Sequence, residues 1–232
     1  MDKTESITEL ALQNGFKSIQ SFSRSFRNFY GMSPSEFQKK GQIEFSKIGQ
    51  KQSKNGTGKV SFEKYLYSIN NLKNWLQMKT TVEVKEMPEL KLAHVRHQGA
   101  YSEIGSAFQK IMQWSGPRGL LNFPKTKMIG IYYDSPRITD VTKMQSSACI
   151  TIEKDVESSG EVAMMTIPKG KFAVGSFQIK MDEFEKAWNS ISLWVPENNF
   201  ELRDGHYHEI YHNDGNQHPE GLFFVDICIP VQ

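Results

Sequence analysis

The spacing of apolar residues predicts short helices in the first third of the chain and mixed strands and helices in the rest. A first helix is predicted at residues 7–13, and Asn14 and Gly15 then break the pattern as a tight turn would. A second helix is predicted at residues 18–30, because one face carries the apolar residues Ile19, Phe22, Phe26 and Phe29. Two short helices joined by a glycine turn predict a helix-turn-helix, which we assign to residues 1–48.

The remaining surface of the second helix is small, polar and basic, and it displays Gln20, Ser21, Arg24 and Arg27. Side chains of these types bind base edges and phosphates in the major groove of DNA. The charge distribution agrees, since residues 1–59 carry ten Lys and Arg against five Asp and Glu, and the rest of the chain is acidic on balance. An ordinary helical hairpin with solvated lysines is the alternative interpretation.

The string ITELALQNGFKSIQSFSRSFRNFYGMSPSEFQKK, residues 7–40, resembles the second helix-turn-helix of AraC/XylS-type regulators. The shared features are the Gly15-Phe16 turn, the Phe22-Ser23-Arg24 pattern followed by Phe26, and the Gly31-Met32-Ser33-Pro34 entry into a last helix. The resemblance implies that residues 18–30 form a recognition helix that binds double-stranded DNA.

The same resemblance places three residues nearest the bases, Gln20, Ser21 and Arg24, and two nearer the phosphates, Arg27 or Lys17. The DNA-binding part of that family normally carries two helix-turn-helix units, whereas one precedes the linker here. We therefore expect weak DNA binding at physiological salt unless a homodimer supplies a second copy. A shortened paralogue and a fragment of a longer reading frame both fit this pattern.

Residues 49–81 are predicted to connect two domains. Residues 49–59 are rich in Gly, Gln and Lys and contain no large apolar residue, which is typical of a flexible tether. Residues 60–78 are predicted to form an amphipathic helix, whose apolar stripe is Phe62, Leu66, Ile69, Leu72 and Leu76. We expect this helix to pack onto one of the domains, and its near-heptad spacing leaves self-association into a homodimer open.

Residues 82–114 align without gaps on residues 162–194, which reveals an internal repeat with a period of 80 residues. Each copy begins with two strands around a proline-marked turn, continues with an amphipathic helix and ends with two further strands. We therefore predict an α+β protein in which the N-terminal all-α segment precedes a duplicated β-β-α-β-β domain at residues 82–232. The repeats span residues 82–153 and 162–231, and a ligand cleft is expected between them.

Three segments of this domain resemble the GyrI-like (SOUL/SbmC-like) family: VRHQGAYSEIG at 95–105, HEIYHND at 208–214 and VDICIPV at 225–231. Members of that family serve as sensing domains on multidrug-responsive regulators, including AraC-type ones, and some stand-alone relatives are hydrolases of reactive small molecules. The resemblance implies a GyrI-like fold that binds small organic effectors, and it places the ligand-binding acid at Glu209.

The strand around Glu209 has a pattern of its own. Alternation puts Tyr207, Glu209 and Tyr211 on one face and the neighbouring histidines on the other. A carboxylate among aromatic rings is costly to desolvate by itself and is best offset by a cationic, flat, apolar ligand. We expect a small aromatic or cationic effector to contact these three residues, with further walls at Tyr101, Tyr132 and Trp114. A solvated strand carboxylate is the alternative.

Metal and nucleophilic chemistry have little support in the sequence. No Cys or acid completes a ligand set with His206, His208 and His212, so we expect no metal and no other cofactor. The two cysteines lie in no catalytic pattern and there is no Gly-x-Ser-x-Gly elbow, so we do not expect an enzyme. Hydrolysis with Glu209 as a general base is the alternative.

The sequence contains no export signal and no apolar run long enough to cross a bilayer, so we expect a cytoplasmic protein without a membrane partner. The combined prediction is a ligand-responsive transcription regulator, in which the helix at residues 18–30 reads DNA and a small organic effector binds around Glu209. The alternative is a small-molecule hydrolase or a drug-sequestering protein of the GyrI-like family that does not bind DNA.

Overall fold

The computed structural model describes residues 18–30, 33–36, 62–136, 139–154 and 156–232, in which helical segments precede an eight-stranded sheet. The preceding helices are α1 (Ile19–Tyr30) and α2 (Phe62–Lys79). The first half of the sheet domain contains β1 (Val82–Met87), β2 (Leu90–Gln98), α3 (Gly105–Ser115), β3 (Met128–Tyr132) and β4 (Gln145–Thr151). The second half contains β5 (Val162–Ile167), β6 (Gly170–Ile179), α4 (Phe184–Glu197), β7 (Tyr207–Tyr211) and β8 (Phe223–Pro230). The predicted duplication of a β-β-α-β-β unit is confirmed.

The two halves of the sheet exchange their first strands. All pairs are antiparallel, and β1 pairs with β6 while β5 pairs with β2, so neither opening strand pairs with the strand that follows it. Interchanging the two halves turns the strand order β1-β6-β8-β7-β3-β4-β2-β5 into its own reverse. The pseudo-twofold axis therefore passes between the central strands β3 and β7, where Gly130 is paired directly with Glu209.

Both sheet helices, α3 and α4, lie on the same face of the sheet. Directly paired residues of neighbouring strands point to one side of a sheet. One such row leads from the core beneath α3 to the core beneath α4 and consists of Ala93, Ile150, Met128, Tyr211 and Val225. Ile111 anchors α3 in its core and Ile191 anchors α4, and neither side chain is exposed. The central strands β3 and β7 therefore lie between the parts of the sheet that the two helices cover.

The opposite face of the sheet holds a separate apolar core, which includes Leu92, Ile129 and Phe172. The two cysteines, Cys149 and Cys228, belong to this core, where they are buried free thiols. Burial raises the pKa of each thiol above its usual range, so both act as small apolar side chains.

The helix α2 packs against α4, as its apolar stripe predicted. Ile69 is fully buried, and the indole of Trp75 stacks on the ring of Phe177 with centroids 6.0 Å apart. Polar contacts reinforce the junction, because Ser190 Oγ of α4 donates to the Leu72 carbonyl at 3.3 Å. Leu76 of the stripe joins the core beneath α4, so the described part of α2 packs on the sheet domain. The helix predicted at residues 7–13 and the tether at residues 49–59 lie outside the described residues.

Candidate ligand-binding site

The carboxylate of Glu209 lies between α3 and α4 on the face of the sheet that carries both helices, and only 1% of the residue is exposed. Three neutral groups donate hydrogen bonds to it. The Trp188 indole N–H donates to Oε1 at 2.5 Å, while the Tyr132 hydroxyl donates to Oε2 at 2.6 Å. The Tyr211 hydroxyl donates to the same Oε2. Three aromatic side chains thus enclose the acid.

The two central strands and α4 position these groups. Side chains alternate along a strand, so Tyr211 points to the same face as Glu209 two residues earlier. Tyr132 reaches Glu209 from the neighbouring strand, because its own position in β3 lies two residues beyond Gly130, the partner of Glu209. Trp188 contacts Glu209 from α4, and the buried residues Ala187 and Ile191 fix this helix on the sheet.

A second layer of aromatic rings surrounds the three donors. The ring of Tyr101 meets Tyr132 edge to face at 4.8 Å, and its hydroxyl donates to the Asp134 carbonyl at 2.7 Å. On the other side Phe108 of α3 meets Tyr211 edge to face at 5.7 Å. Edge-to-face contacts of this kind hold rings in defined orientations. The aromatic cage around Glu209 therefore draws on both halves of the domain.

The electrostatics of the cage oppose a charge on Glu209. Burial raises the pKa of its carboxyl group, and the hydrogen bonds from Tyr132, Tyr211 and Trp188 lower it by less. Burial and the charge of Glu209 also raise the pKa values of Tyr132 and Tyr211 well above their usual range, so both phenols keep their protons. Within the described part of the chain, no Lys or Arg forms an ion pair with Glu209.

The structure brings together four of the six residues predicted around the ligand: Glu209, Tyr211, Tyr132 and Tyr101. Tyr207 shares the strand face of Glu209 and packs against the core beneath α4. Trp114 requires a correction, because α3 directs it away from the acid. Its indole N–H donates to Ser159 Oγ at 2.7 Å, and the Arg118 guanidinium lies over its ring at 4.6 Å.

Trp188, the indole that does bind Glu209, was not among the predicted site residues. A signal for it exists in the repeat, since Trp188 aligns with Phe108 and both face the central strands. Trp114 aligns with Trp194 instead, and both lie further along their helices. The repeat register, combined with the position of the pseudo-twofold axis, distinguishes the two tryptophans.

The histidines around Glu209 point to the opposite face, as the alternation predicted. His208 is fully buried beside Phe172, and its Nδ1 donates to the His206 carbonyl at 2.8 Å. Burial lowers the pKa of His208 to about 4. Among the described residues, no three His, Cys, Asp or Glu side chains come together in a way that could hold a metal ion.

Three of the predicted DNA-binding residues are described on α1. Gln20, Arg24 and Arg27 are exposed, whereas Phe22 and Phe26 are fully buried. Arg24 Nη1 lies 3.3 Å from Glu201 Oε1, in the segment that follows α4. The Ser21 side chain and Lys17 lie outside the described residues.

Residues 80–232 match the family of GyrI-like small molecule binding domains, and residues 1–40 match a helix-turn-helix domain. The chain is 24% identical over 155 residues to a DNA gyrase inhibitor of Erwinia billingiae, covering 65% of this chain and 96% of the relative. No helix in the described ranges combines the length and the apolar composition needed to cross a membrane.

Two solved structures share the fold. The cryo-EM structure of EcmrR on DNA in EcmrR-RPo has a TM-score of 0.59 at 16% identity, covering 85% of this chain and 80% of that chain. The crystal structure of the EcmrR C-terminal domain has a TM-score of 0.54 at 19% identity, covering 66% and 98%. The chain thus joins a helix-turn-helix to a small-molecule sensor, the arrangement of a ligand-responsive transcription regulator, and it belongs to the family of GyrI-like small molecule binding domains.

Proposed function

We propose that the sheet domain binds a small aromatic cation at Glu209 and that this binding changes how α1 engages double-stranded DNA. The observation that carries the proposal is the buried carboxylate itself. Its three hydrogen-bond donors are neutral, and no described Lys or Arg offsets its charge. A desolvated carboxylate without a counter-charge is costly, so a ligand that brings a positive charge is stabilised here.

The rings of the cage favour an aromatic cation over a small hydrated ion. The faces of Trp188, Tyr132 and Tyr211 are electron-rich and attract a cation in addition to the carboxylate charge. A cation whose charge is spread over a ring loses little hydration when it enters an apolar cage. A flat pyridinium-type compound therefore suits both the acid and its walls.

Helix α4 is the proposed route from the ligand to the DNA-binding segment. It carries Trp188 on the side that faces Glu209, and on another side it contacts α2 through Ser190 and through the ion pair of Lys73 with Glu197 at 3.1 Å. A ligand that displaces the Trp188 indole changes the position of α4 and thereby the packing of α2 on α4. Ligand binding can shift DNA affinity only if the ligand binds the two arrangements with different affinity.

The DNA-reading surface is proposed to be formed by the exposed residues of α1, with Gln20 and Arg24 on the bases and Arg27 on a phosphate. A single recognition helix makes few phosphate contacts. We therefore also propose that a homodimer presents two such helices one helical turn apart on a pseudo-palindromic site.

We further propose that the site binds its ligand without hydrolysing it. Both oxygens of Glu209 already accept hydrogen bonds, which leaves little capacity for activating a water. The two cysteines lie on the opposite face of the sheet with raised pKa values, so neither supplies a thiolate. A regulator requires no turnover of the effector.

DNA binding with and without a cation tests this function. A labelled duplex is first selected from a random library by the wild-type protein, and its affinity is measured by fluorescence anisotropy with N-methyl-4-phenylpyridinium present or absent. We expect the cation to change the affinity of the wild type at least fivefold and that of Glu209→Gln less than twofold. Mass spectrometry should recover the cation intact, and an equal response of the two proteins would overturn the proposal.

A further inference from the structure

The sheet ends in β1 on one side and in β5 on the other, and these two edge strands differ in charge. Three charged residues of β1 have uncharged counterparts in β5 in the repeat register: Ala163 for Glu83, Met165 for Lys85 and Thr166 for Glu86. Charged side chains on an edge strand discourage pairing with another chain, and β5 has none. Of these two edges, β5 is therefore the one suited to accept a further strand.

The hydrogen bonds of β2 show which backbone groups of β5 point outward. In an antiparallel sheet, the N–H and C=O of one residue point to the same neighbouring strand, and successive residues alternate. Ile152 N–H, directly after β4, donates to the Lys91 carbonyl at 2.9 Å, so Lys91 points away from its partner Thr166 in β5. Thr166 and Met164 therefore direct their backbone groups away from β2, to the open edge.

The N–H and C=O groups of Met164 and Thr166 have no hydrogen-bond partner among the residues that the structure describes. Val162 also points outward, and its N–H donates to the Ser159 carbonyl at 3.2 Å. On the other side of Thr166, the next outward position is Pro168, which has no N–H. The open part of the edge is thus a short segment with two donors and two acceptors.

Two copies of β5 satisfy all of these groups in one antiparallel register. Met164 of each copy pairs with Thr166 of the other, which places a twofold axis at Met165. A register that pairs Met164 with itself would bring Thr166 opposite Val162, whose N–H is already bound. A register that pairs Thr166 with itself would bring Met164 opposite Pro168, which cannot donate.

The register centred on Met165 also brings opposite charges together at its ends. Glu161 comes opposite Lys169 of the second copy, and the twofold axis repeats this pair. Glu161 is exposed and already lies 2.6 Å from Lys110, so it would lie between two lysines. The same register of β1 would instead bring Lys85 opposite Lys85, and like charges directly opposite each other are destabilising.

We propose that the edge of β5 is a homodimer interface, in which two copies of β5 pair antiparallel about Met165 and form one continuous sheet. This interface rests on the proposed function, because it names the surface through which the two copies of the proposed homodimer associate. Each copy contributes one β5 edge, and the charged β1 edges lie at the two outer ends. The assembly therefore closes at two copies.

Thr166→Pro tests the hydrogen bonds of this interface. The Thr166 N–H points outward, so proline removes a donor from the interface without breaking a bond to β2. Glu86→Pro is the matched control, because Glu86 is the repeat counterpart of Thr166 and also points away from the sheet at the β1 edge. Full-length proteins are compared by sedimentation velocity over a range of concentrations.

Cysteine crosslinking tests the register. Residues opposite each other in a non-hydrogen-bonded pair have Cα atoms about 4.5 Å apart, a distance that a disulfide spans. Met165→Cys places two thiols in this relation across the twofold axis. Ala163→Cys is the control, since residue 163 is exposed on the same strand face but lies about 13 Å along the strands from its own copy. The two native cysteines are buried.

We expect the wild type to show a monomer–dimer equilibrium. Thr166→Pro should raise the dissociation constant of the dimer at least about tenfold, because each copy loses one hydrogen bond and the proline ring obstructs the edge. Glu86→Pro should match the wild type. On oxidation with copper phenanthroline, Met165→Cys should form a covalent dimer and Ala163→Cys should remain monomeric on a denaturing gel.

A wild-type dimer that both proline variants leave intact, or weaken equally, would overturn the β5 interface and leave the proposed homodimer standing on another surface. Equal crosslinking of Ala163→Cys and Met165→Cys would overturn the pairing about Met165. If the wild type were monomeric at every concentration and Met165→Cys did not crosslink, the β5 interface and the proposed homodimer would fail together. Cation binding at Glu209 is measured separately, so its outcome does not depend on this one.

Discussion

Trp188 of α4 donates its indole N–H to Glu209 of β7 over 2.5 Å, and this bond ties the acid of the cage to the helix that supports α2. Two residues further along α4, Ser190 contacts the Leu72 carbonyl of α2. The same helix therefore contacts both the candidate ligand site and the segment that leads to the DNA-binding residues. A change at Glu209 has a short physical route to α2.

Replacing Trp188 by Phe should weaken the response to the ligand more than the binding of the ligand. The ring still fills the cage, but the hydrogen bond that links α4 to Glu209 is lost. We expect the cation to bind Trp188→Phe at least as tightly as the wild type, because the ligand no longer has to displace an indole N–H that donates to the carboxylate. The ligand-induced change in DNA affinity should fall by at least half when it is measured by anisotropy.

Trp194→Phe is the matched control for that variant. Trp194 lies on the same helix, where its ring stacks on Phe200 at 5.8 Å, away from the carboxylate. This variant should retain the full response. An equal loss in both variants would indicate a general weakening of α4 and not a specific link through Trp188.

The charge of Glu209 should make the free energy of unfolding depend on pH. Burial raises the pKa of Glu209 in the folded protein, so the folded state favours the protonated acid. The contribution of Glu209 to the free energy of unfolding is largest below its unfolded-state pKa of about 4.3. It decreases as the pH rises through the raised pKa of Glu209 in the folded protein. We expect urea unfolding to show Glu209→Gln gaining stability relative to the wild type between pH 5 and pH 8.

Glu201→Gln serves as the control for that pH dependence, because the Glu201 side chain is 62% exposed. Its stability relative to the wild type should not change over the same range. If Glu209→Gln also showed no relative gain with pH, Glu209 would have an ordinary pKa, and the cost attributed to its burial would be absent.

His208 should give the protein an acid-sensitive stability of the opposite sign. Burial lowers the pKa of His208 to about 4, so the unfolded chain binds the proton more readily below pH 6.5. Stability should fall as the pH drops from about 6.5 to about 4, by on the order of 3 kcal/mol. His208→Asn keeps a donor for the His206 carbonyl and cannot titrate, so its unfolding free energy should lack this component.

Arg24 should contribute to DNA affinity, and Glu201 should compete with the DNA for it. Arg24→Ala is expected to weaken binding to the selected duplex about tenfold or more, because a base contact is worth roughly 1–3 kcal/mol. Glu201→Gln should strengthen binding by at most about fivefold, since the ion pair is exposed. Neither change should alter cation binding. Unchanged DNA affinity in Arg24→Ala would contradict the assignment of α1 as the recognition helix.

Most of what could be predicted about the fold came from the internal repeat and from the alternation of side chains along the strands. The 80-residue period is reproduced in the bounds of the strands, since β1 begins at Val82 and β5 at Val162. Alternation placed Glu209 and Tyr211 on one face and His208 on the other, because the side-chain direction along a strand is a local property.

The exchange of first strands and the identity of the indole above Glu209 could not be obtained in the same way. Strand order depends on contacts between distant segments, which the apolar pattern of each segment does not encode. The choice between Trp114 and Trp188 depends on where the helices cross the central strands. That crossing follows from the pairing of Gly130 with Glu209, which only the assembled sheet defines.

Isothermal titration of the wild type and Glu209→Gln with N-methyl-4-phenylpyridinium and 4-methylbiphenyl measures whether Glu209 recognises the charge of the effector. We expect the wild type to prefer the cation over its neutral isostere by at least tenfold, and Glu209→Gln to lose that preference while still binding the isostere as the wild type does. A cation that binds both proteins with equal affinity would show that the buried carboxylate is not the effector site.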